Sequence, residues 1–133
     1  RLYRILKERN ILDRVIVGTF KGEITRYFDE KYDDMLRSAS IAEVVKFYFS
    51  SLLGIKQNPA TIKYDALQIP YKQFVINLGT QKVINYAHSL NVAVQYWTIN
   101  DEQQIMELNS RGADAIITDN PEKAYNLIHG IEE

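Results

Sequence analysis

The stretch VAVQYWTINDEQQIMELNSRGADAIITDNP, residues 92–121, decides the fold. Its first segment, Val92–Ile99, is rich in β-branched and aromatic side chains and predicts a strand. Asp101–Arg111 places apolar residues at helical spacing and predicts a helix, with Gly112 as a left-handed C-cap. Ala115–Thr118 is a short apolar run and predicts a second strand. Because one helix fills the connection between two strands, the sheet is predicted to be parallel.

The rest of the chain repeats this alternation of strand and helix. Strands are predicted at Arg14–Phe20 and Tyr64–Ile69, a turn at Gln57–Thr61 and a loop at Tyr71–Gly79. Helices are predicted at Arg1–Arg9, Lys21–Arg37, Ile41–Leu53, Gln81–Leu90 and Pro121–Ile131. Ser40 and Glu43 form a predicted capping box before Ile41–Leu53, which is apolar around most of its circumference and is expected to be buried on more than one side. Four strands, each followed by a helix, fit either a small doubly wound domain of flavodoxin type or half of a (β/α)8 barrel.

Length and composition are typical of a single soluble globular domain, which would span residues 1–133. Hydrophobic residues make up 46% and charged residues 25%, and the net charge is −1. The sequence lacks the clustered basic residues that would predict nucleic-acid binding. Without cysteines the chain has no disulfide and no thiolate chemistry, and its compartment cannot be predicted. The chain begins at Arg1 without a methionine, so we expect it to be a piece of a longer protein.

Three segments of the deciding stretch carry a family resemblance. Tyr96–Asn100, Arg111–Asp114 and Ile116–Pro121 resemble the C-terminal signature of the glycerophosphodiester phosphodiesterase family. Upstream, Val15–Phe20 and Tyr64–Pro70 are similar to the fifth and sixth barrel strands of that family. The sequence departs from the family at Gly18-Thr19, where serine is usual.

The resemblance implies that the chain is the C-terminal half of a TIM (β/α)8 barrel with four parallel strands. Members of the family hydrolyse glycerophosphodiesters to glycerol 3-phosphate and an alcohol, a step in lipid and glycerol metabolism. The resemblance also implies a divalent metal, calcium or magnesium, held by carboxylates, and a pair of histidines acting as acid and base. These groups belong to the first strands of the barrel. We therefore expect no catalytic residue, no metal ligand and no hydrolytic activity in this chain alone.

Two aromatic residues are the predicted substrate-binding residues. Trp97 is the sole tryptophan and ends a strand on the same face as Gln95, where its amphipathic ring suits the glycerol or an apolar stem of the substrate. Phe20 ends its strand in the same way. The alternative for each is a core aromatic. Gln68 interrupts an apolar strand, and a buried amide needs hydrogen-bond partners. We expect a partner inside the barrel; the alternative is that Gln68 points at the ligand.

The remaining polar candidates are predicted to be structural. His88 and His129 fall within helices and are interpreted as surface or packing residues. Asp101 and Asp119, with the neighbouring asparagines, each precede a helix and are interpreted as N-caps.

A half sheet leaves two strand edges, Arg14–Phe20 and Ala115–Thr118, without neighbours. Exposed edges seek partners, so we expect this chain to associate with the missing N-terminal half-barrel or with a second copy as a homodimer. Two other functions stay open. One is a noncatalytic interaction domain derived from the family, and the other is a flavodoxin-like phosphate-binding module using residues 18–22.

Overall fold

The computed structural model describes residues Arg1–Ile131, which divide into two compact units. The first unit comprises Arg1–Leu67 with Leu90–Val92, and the second comprises Gln68–Ser89 with the chain from Ala93 onward. No helix among the described residues is long and apolar enough to cross a membrane.

The first unit contains three helices and the start of one strand. The helices are α1 (Leu2–Glu8), α2 (Gly22–Lys31) and α3 (Ile41–Leu53), with short 3-10 turns at Leu12–Arg14 and Pro59–Thr61. Strand β1 (Ala66–Ile69) begins in this unit and ends in the second. The predicted capping box is confirmed, because Ser40 and Glu43 each satisfy the other's backbone, and Gly54 ends α3 in the left-handed region at φ 67°.

The second unit contains the deciding stretch. Its elements are β2 (Lys72–Gln73), β3 (Ile76–Asn77), α4 (Gln81–Ser89), β4 (Ala93–Tyr96), α5 (Glu102–Ser110), β5 (Ala115–Ile116) and α6 (Pro121–His129). Strands β2 and β3 form an antiparallel hairpin inside the segment that was predicted to be a loop. Each of the two predicted capping pairs supplies the N-cap of its helix: Asp101 accepts from the Gln104 N–H, and Asn120 accepts from the Lys123 N–H.

The sheet has the order β1-β4-β5, and β4 pairs with β5 in parallel. In the first unit, parallel bridges join Val17 to Arg37 and Ser38 to Ala66. Within each unit, extended segments that are consecutive in sequence are therefore neighbours. This order is that of a (β/α) barrel and confirms the predicted fold class, whereas a flavodoxin-like domain places its second strand outside its first.

The predicted helix Lys21–Arg37 is wrong at its C-terminal end. Helix α2 stops at Lys31, and Arg37-Ser38 is an extended segment that pairs with Val17 on one side and Ala66 on the other. This adds a sheet position that the sequence analysis assigned to helix. The strand predicted at Arg14–Phe20 is also less regular than expected, since only Val17 forms a bridge.

Arg37 explains why this segment is extended. Its side chain is 1% exposed and makes paired hydrogen bonds to Asp29 of α2, at 2.6 and 2.9 Å, and to Glu43 of α3, at 3.0 and 2.9 Å. Its backbone N–H donates to the Asp65 carboxylate at 2.9 Å. Burial opposes the charge, but the carboxylate partners raise the pKa of Arg37 above its ordinary value. One buried guanidinium therefore ties both flanking helices to the sheet.

Helix α3 contradicts the prediction that it is buried on more than one side. Its buried side chains are Phe47, Ser50 and Ser51, which share one face. The opposite face is apolar and exposed, including Ile41, Val45 and Phe49 among others. The apolar composition of α3 therefore did not predict its burial, because the excess apolar residues are concentrated on the outer side.

Candidate functional site

The candidate site lies where β4 and β5 end. Parallel strands bring their carboxyl ends to one edge of the sheet, which is the edge that carries the active site in (β/α) barrels. Strand β4 ends at Tyr96 and is followed by Trp97, whose backbone N–H donates to the carbonyl of Ile69 at 3.1 Å. Strand β5 ends at Ile116 and is followed by Thr118.

Trp97 lies on the less buried face of the sheet. Tyr96 is fully buried, and its hydroxyl donates to the carbonyl of Leu78 at 2.8 Å, while burial raises the pKa of the phenol. Because side chains alternate along a strand, Trp97 and Gln95 point away from that core, and both are half-buried. The sole tryptophan is thus placed at the carboxyl edge, on the face that a barrel turns inward.

An amide pair covers the same face one step below Trp97. Gln68 of β1 donates from Nε2 to Oε1 of Gln95 on β4 at 2.8 Å, and both side chains are half-buried. The expectation that Gln68 has an internal partner is confirmed. The pair makes this face polar, in contrast to the apolar side that carries Tyr96.

A second polar network, which was not predicted from the sequence, joins the two loops at the carboxyl edge. Asn100 accepts from the Thr118 hydroxyl at 2.9 Å and from the Asp119 N–H at 3.0 Å, and its amide donates to the Asp119 carboxylate at 2.8 Å. Of the predicted Asp119-Asn120 capping pair, Asn120 is the N-cap of α6, whereas Asp119 belongs to this network. A polar residue after each of two adjacent parallel strands was the signal that could have predicted this link.

Phe20, the other predicted substrate-binding residue, belongs to the first unit. It follows the Val17 segment and is 62% exposed, so it is not a core aromatic. Beside it, the Thr19 hydroxyl accepts from the Lys21 N–H at 3.2 Å, which holds the turn into α2. The structure places Phe20 and Trp97 after extended segments of different units.

Both histidines have structural partners. His88 lies 2.9 Å from the carboxylate of Asp114, and that carboxylate also accepts from the Val94 N–H at 2.7 Å. The partners of His88 thus lie at the beginning of β4, which is the edge opposite Trp97. His129 stacks on Tyr125, with ring centroids 4.0 Å apart. These contacts support the interpretation of both histidines as packing residues.

The described residues do not fit a divalent metal. No group of three or more histidine and carboxylate side chains among Arg1–Ile131 is arranged to hold one. A cleft of about 440 Å³ in the first unit is lined by residues that include Asp29, Asp33 and Asp65. The cleft lies where the extended segments at Arg37 and Ala66 begin, and in barrels this edge serves stability and not catalysis. Asp29 and Asp65 already bind Arg37.

Comparisons with known proteins agree with the fold. The model of the family described as "Glycerophosphoryl diester phosphodiesterase family" matches residues 2–123. A crystal structure from Silicibacter pomeroyi DSS-3, described as a candidate glycerophosphoryl diester phosphodiesterase, is 16% identical with a TM-score of 0.67, and the match covers 95% of this chain and 41% of that one. A glycerophosphodiester phosphodiesterase from Parabacteroides distasonis ATCC 8503 is 16% identical with a TM-score of 0.61, covering 96% and 48%. No curated protein sequence matches the chain.

Proposed function

The chain belongs to the glycerophosphoryl diester phosphodiesterase family, and from that premise we propose that it is the C-terminal part of an enzyme that hydrolyses glycerophosphodiesters. The products would be glycerol 3-phosphate and an alcohol. The chain spans less than half the length of the two solved structures named above, which supports its being one part of a barrel. Calcium or magnesium would be bound by the other part, since no residues described here fit it.

The role proposed for this chain is a wall of the substrate site. The observation that carries it is the position of Trp97, directly after β4 at the carboxyl edge and on the half-buried face. An indole ring there would pack on the glycerol of the substrate. Phe20, after the Val17 segment of the first unit, is proposed separately as a second substrate-binding residue. The Asn100 network would hold the loop that carries Trp97.

The chain alone is proposed to be inactive. Hydrolysis of a phosphodiester needs an activated water, a proton for the leaving group and stabilisation of the phosphoryl charge. Trp97 and Phe20 can supply none of these. The two histidines, whose contacts serve packing, lie within or at the end of helices, not after strands.

The proposed partner is the complementary half-barrel or a second copy of this chain. Among the described residues, β5 is the last strand in the order of its sheet, and it pairs with β4 through Gln95–Ala115 and Tyr96–Ile116. A terminal strand offers N–H and C=O groups to a further strand. In a complete barrel the strand pairing closes and removes such edges.

The intrinsic fluorescence of Trp97 tests whether this residue forms a wall of the substrate site, because the chain has no other tryptophan. We expect glycerophosphocholine to change the Trp97 emission saturably, and phosphocholine, which lacks the glycerol, to change it less. Release of glycerol 3-phosphate, followed with a coupled dehydrogenase, is expected to stay at background. An emission spectrum insensitive to glycerophosphocholine would contradict the wall, whereas measurable turnover by the purified chain would contradict its inactivity.

A further inference from the structure

The outer face of helix α3 presents an unusually apolar surface. Five side chains on it, between 49% and 69% exposed, are Ile41, Val45, Phe49, Leu52 and Leu53. At about 100° per residue these positions span an arc of about 120°, and Lys46 borders it. A contiguous exposed apolar surface of this kind marks an interaction site in a folded protein.

The part of the chain from the second turn of α3 onward, residues 44–64, is free of acidic residues. Residues 44–64 contain three lysines and no aspartate, glutamate or arginine, whereas the other 112 residues carry 13 basic and 17 acidic side chains. Lys46 and Lys56 are exposed, one on α3 and one just after it. The apolar face is therefore bordered by positive charge in a chain that is otherwise net acidic.

The face is also rigidly held. Glu43, the acidic residue of α3, is turned inward and binds Arg37, at 2.9 and 3.0 Å, so it does not offset the lysines on the outer side. Phe47 is 2% exposed and anchors the inner side. The helix is preformed, which lowers the entropic cost of binding through its outer face.

From this combination we propose that the outer face of α3 binds the surface of an anionic lipid bilayer. An amphipathic helix with aromatic and aliphatic residues on one face and lysines beside it lies in the membrane interface, with the apolar side chains between the headgroups. The lysines supply the attraction to anionic lipid, and the net acidic remainder of the chain disfavours other orientations. This site is separate from the substrate wall of the proposed function.

Charge favours a bilayer over a second copy of the chain. A symmetric contact between two copies of this face would bring the lysine-bearing segments together, and like charges that meet in an interface weaken it. An anionic bilayer instead pairs each lysine with opposite charge and receives Phe49, Leu53 and their neighbours in its apolar layer.

Flotation with lipid vesicles tests this proposal. The 133-residue chain is mixed with vesicles of phosphatidylcholine, or with vesicles that also contain about 30% phosphatidylserine, and the bound fraction is measured after centrifugation. We expect binding to the anionic vesicles and much weaker binding to the neutral ones. Phe49→Glu should weaken binding about tenfold or more, and Lys46→Gln or Lys56→Gln about fivefold each.

Two matched variants serve as controls. Phe74→Glu makes the same change at another exposed phenylalanine, on the β2–β3 hairpin, and Lys31→Gln removes an exposed lysine at the end of α2. Both should bind vesicles like the unchanged chain. Val45→Glu is a second test of the face, and circular dichroism melting establishes that each variant is folded.

Three outcomes would overturn the proposal. The first is equal binding, or no binding, to neutral and anionic vesicles. The second is a loss of binding in Phe74→Glu as large as in Phe49→Glu. The third is a homodimer in light scattering that Phe49→Glu converts to monomer without any vesicle binding, which would assign the face to a second copy.

Discussion

Removing the Arg37 side chain should destabilise the first unit more than any surface substitution. Arg37 is buried and binds two carboxylates, those of Asp29 and Glu43, whose side chains are 15% and 28% exposed. In Arg37→Ala both carboxylates lose their counter-ion while staying largely out of water. Breaking a buried ion pair by removing one partner costs about 3–5 kcal/mol.

The size of this effect makes it measurable. A domain of this length has about 5–15 kcal/mol of stability in total, so the loss is a large share of it. At about 4 °C per kcal/mol, the melting temperature should fall by about 12–20 °C. Urea denaturation followed by far-ultraviolet circular dichroism gives the free energy of unfolding, and an unchanged m-value would show that the unfolding transition is the same.

Matched variants distinguish the effect of the two unpaired carboxylates from other causes of destabilisation. Arg4→Ala makes the same substitution in the surface pair with Glu8 and should cost less than about 1 kcal/mol. Neutralising both partners in Asp29→Asn/Arg37→Met/Glu43→Gln should recover much of the loss, because no charge is left unpaired. A cost below about 1 kcal/mol for Arg37→Ala, or no recovery in the triple variant, would refute the reasoning.

Three further substitutions test other parts of the structure. Burial opposes ionisation of Glu43, but hydrogen bonding to Arg37 holds the pKa of this carboxyl below its ordinary value. The stabilisation that Glu43 contributes is therefore present above about pH 4.5 and is lost as the pH falls through the lowered pKa. The difference in unfolding free energy between the original chain and Glu43→Gln, measured by urea titration, should narrow as the pH falls below about 4.5. In Gly79→Ala the new methyl group would overlap the ring of Tyr71, so we expect a loss of about 1–3 kcal/mol, and a variant as stable as the original chain would contradict that overlap. Asn100→Asp replaces an amide donor with a carboxylate 2.8 Å from that of Asp119, so it should lower the melting temperature at about pH 7, and an unchanged melting temperature would contradict the network.

The sequence predicted the second unit well because its signals are local. The caps at Asp101 and Asn120, Gly112 at φ 83° and the short strands between them each depend on a few adjacent residues. The parallel arrangement followed from the length of one connection. Local and global preferences agree here, which is the condition under which a pattern in sequence predicts a fold.

The extended segment at Arg37 could not be predicted in the same way. A charged residue between Leu36 and Ser38 does not look like a buried strand, and the preceding helical pattern extends naturally into it. Its conformation depends on two carboxylates, six residues later and eight residues earlier in the chain, which neutralise the guanidinium. Such a buried network is specified by tertiary contacts, and the propensity of single residues does not report it.

The outer face of α3 shows a different limit of prediction from sequence. The apolar periodicity was read correctly as helix, but hydropathy alone does not distinguish a face covered by the protein from a face that binds something else. Only the burial of Phe47 and Ser50, set against the exposure of Phe49, makes the distinction. The place where the burial prediction is wrong is therefore the place where an interaction is inferred.

The segments that identify the family are best explained as a device that fixes the loop after β4. The backbone N–H of Trp97 donates a hydrogen bond to the carbonyl of Ile69, and the Ile99 N–H donates to the carbonyl of Ile117 at 3.0 Å. Asn100 then uses its amide oxygen twice and its amide nitrogen once to bind the loop after β5. An aspartate would lack the donor, and a threonine would lack the reach to satisfy all three partners. Because these bonds fix the backbone on both sides of the indole, the motif constrains where Trp97 lies, and any substrate contact follows from that placement.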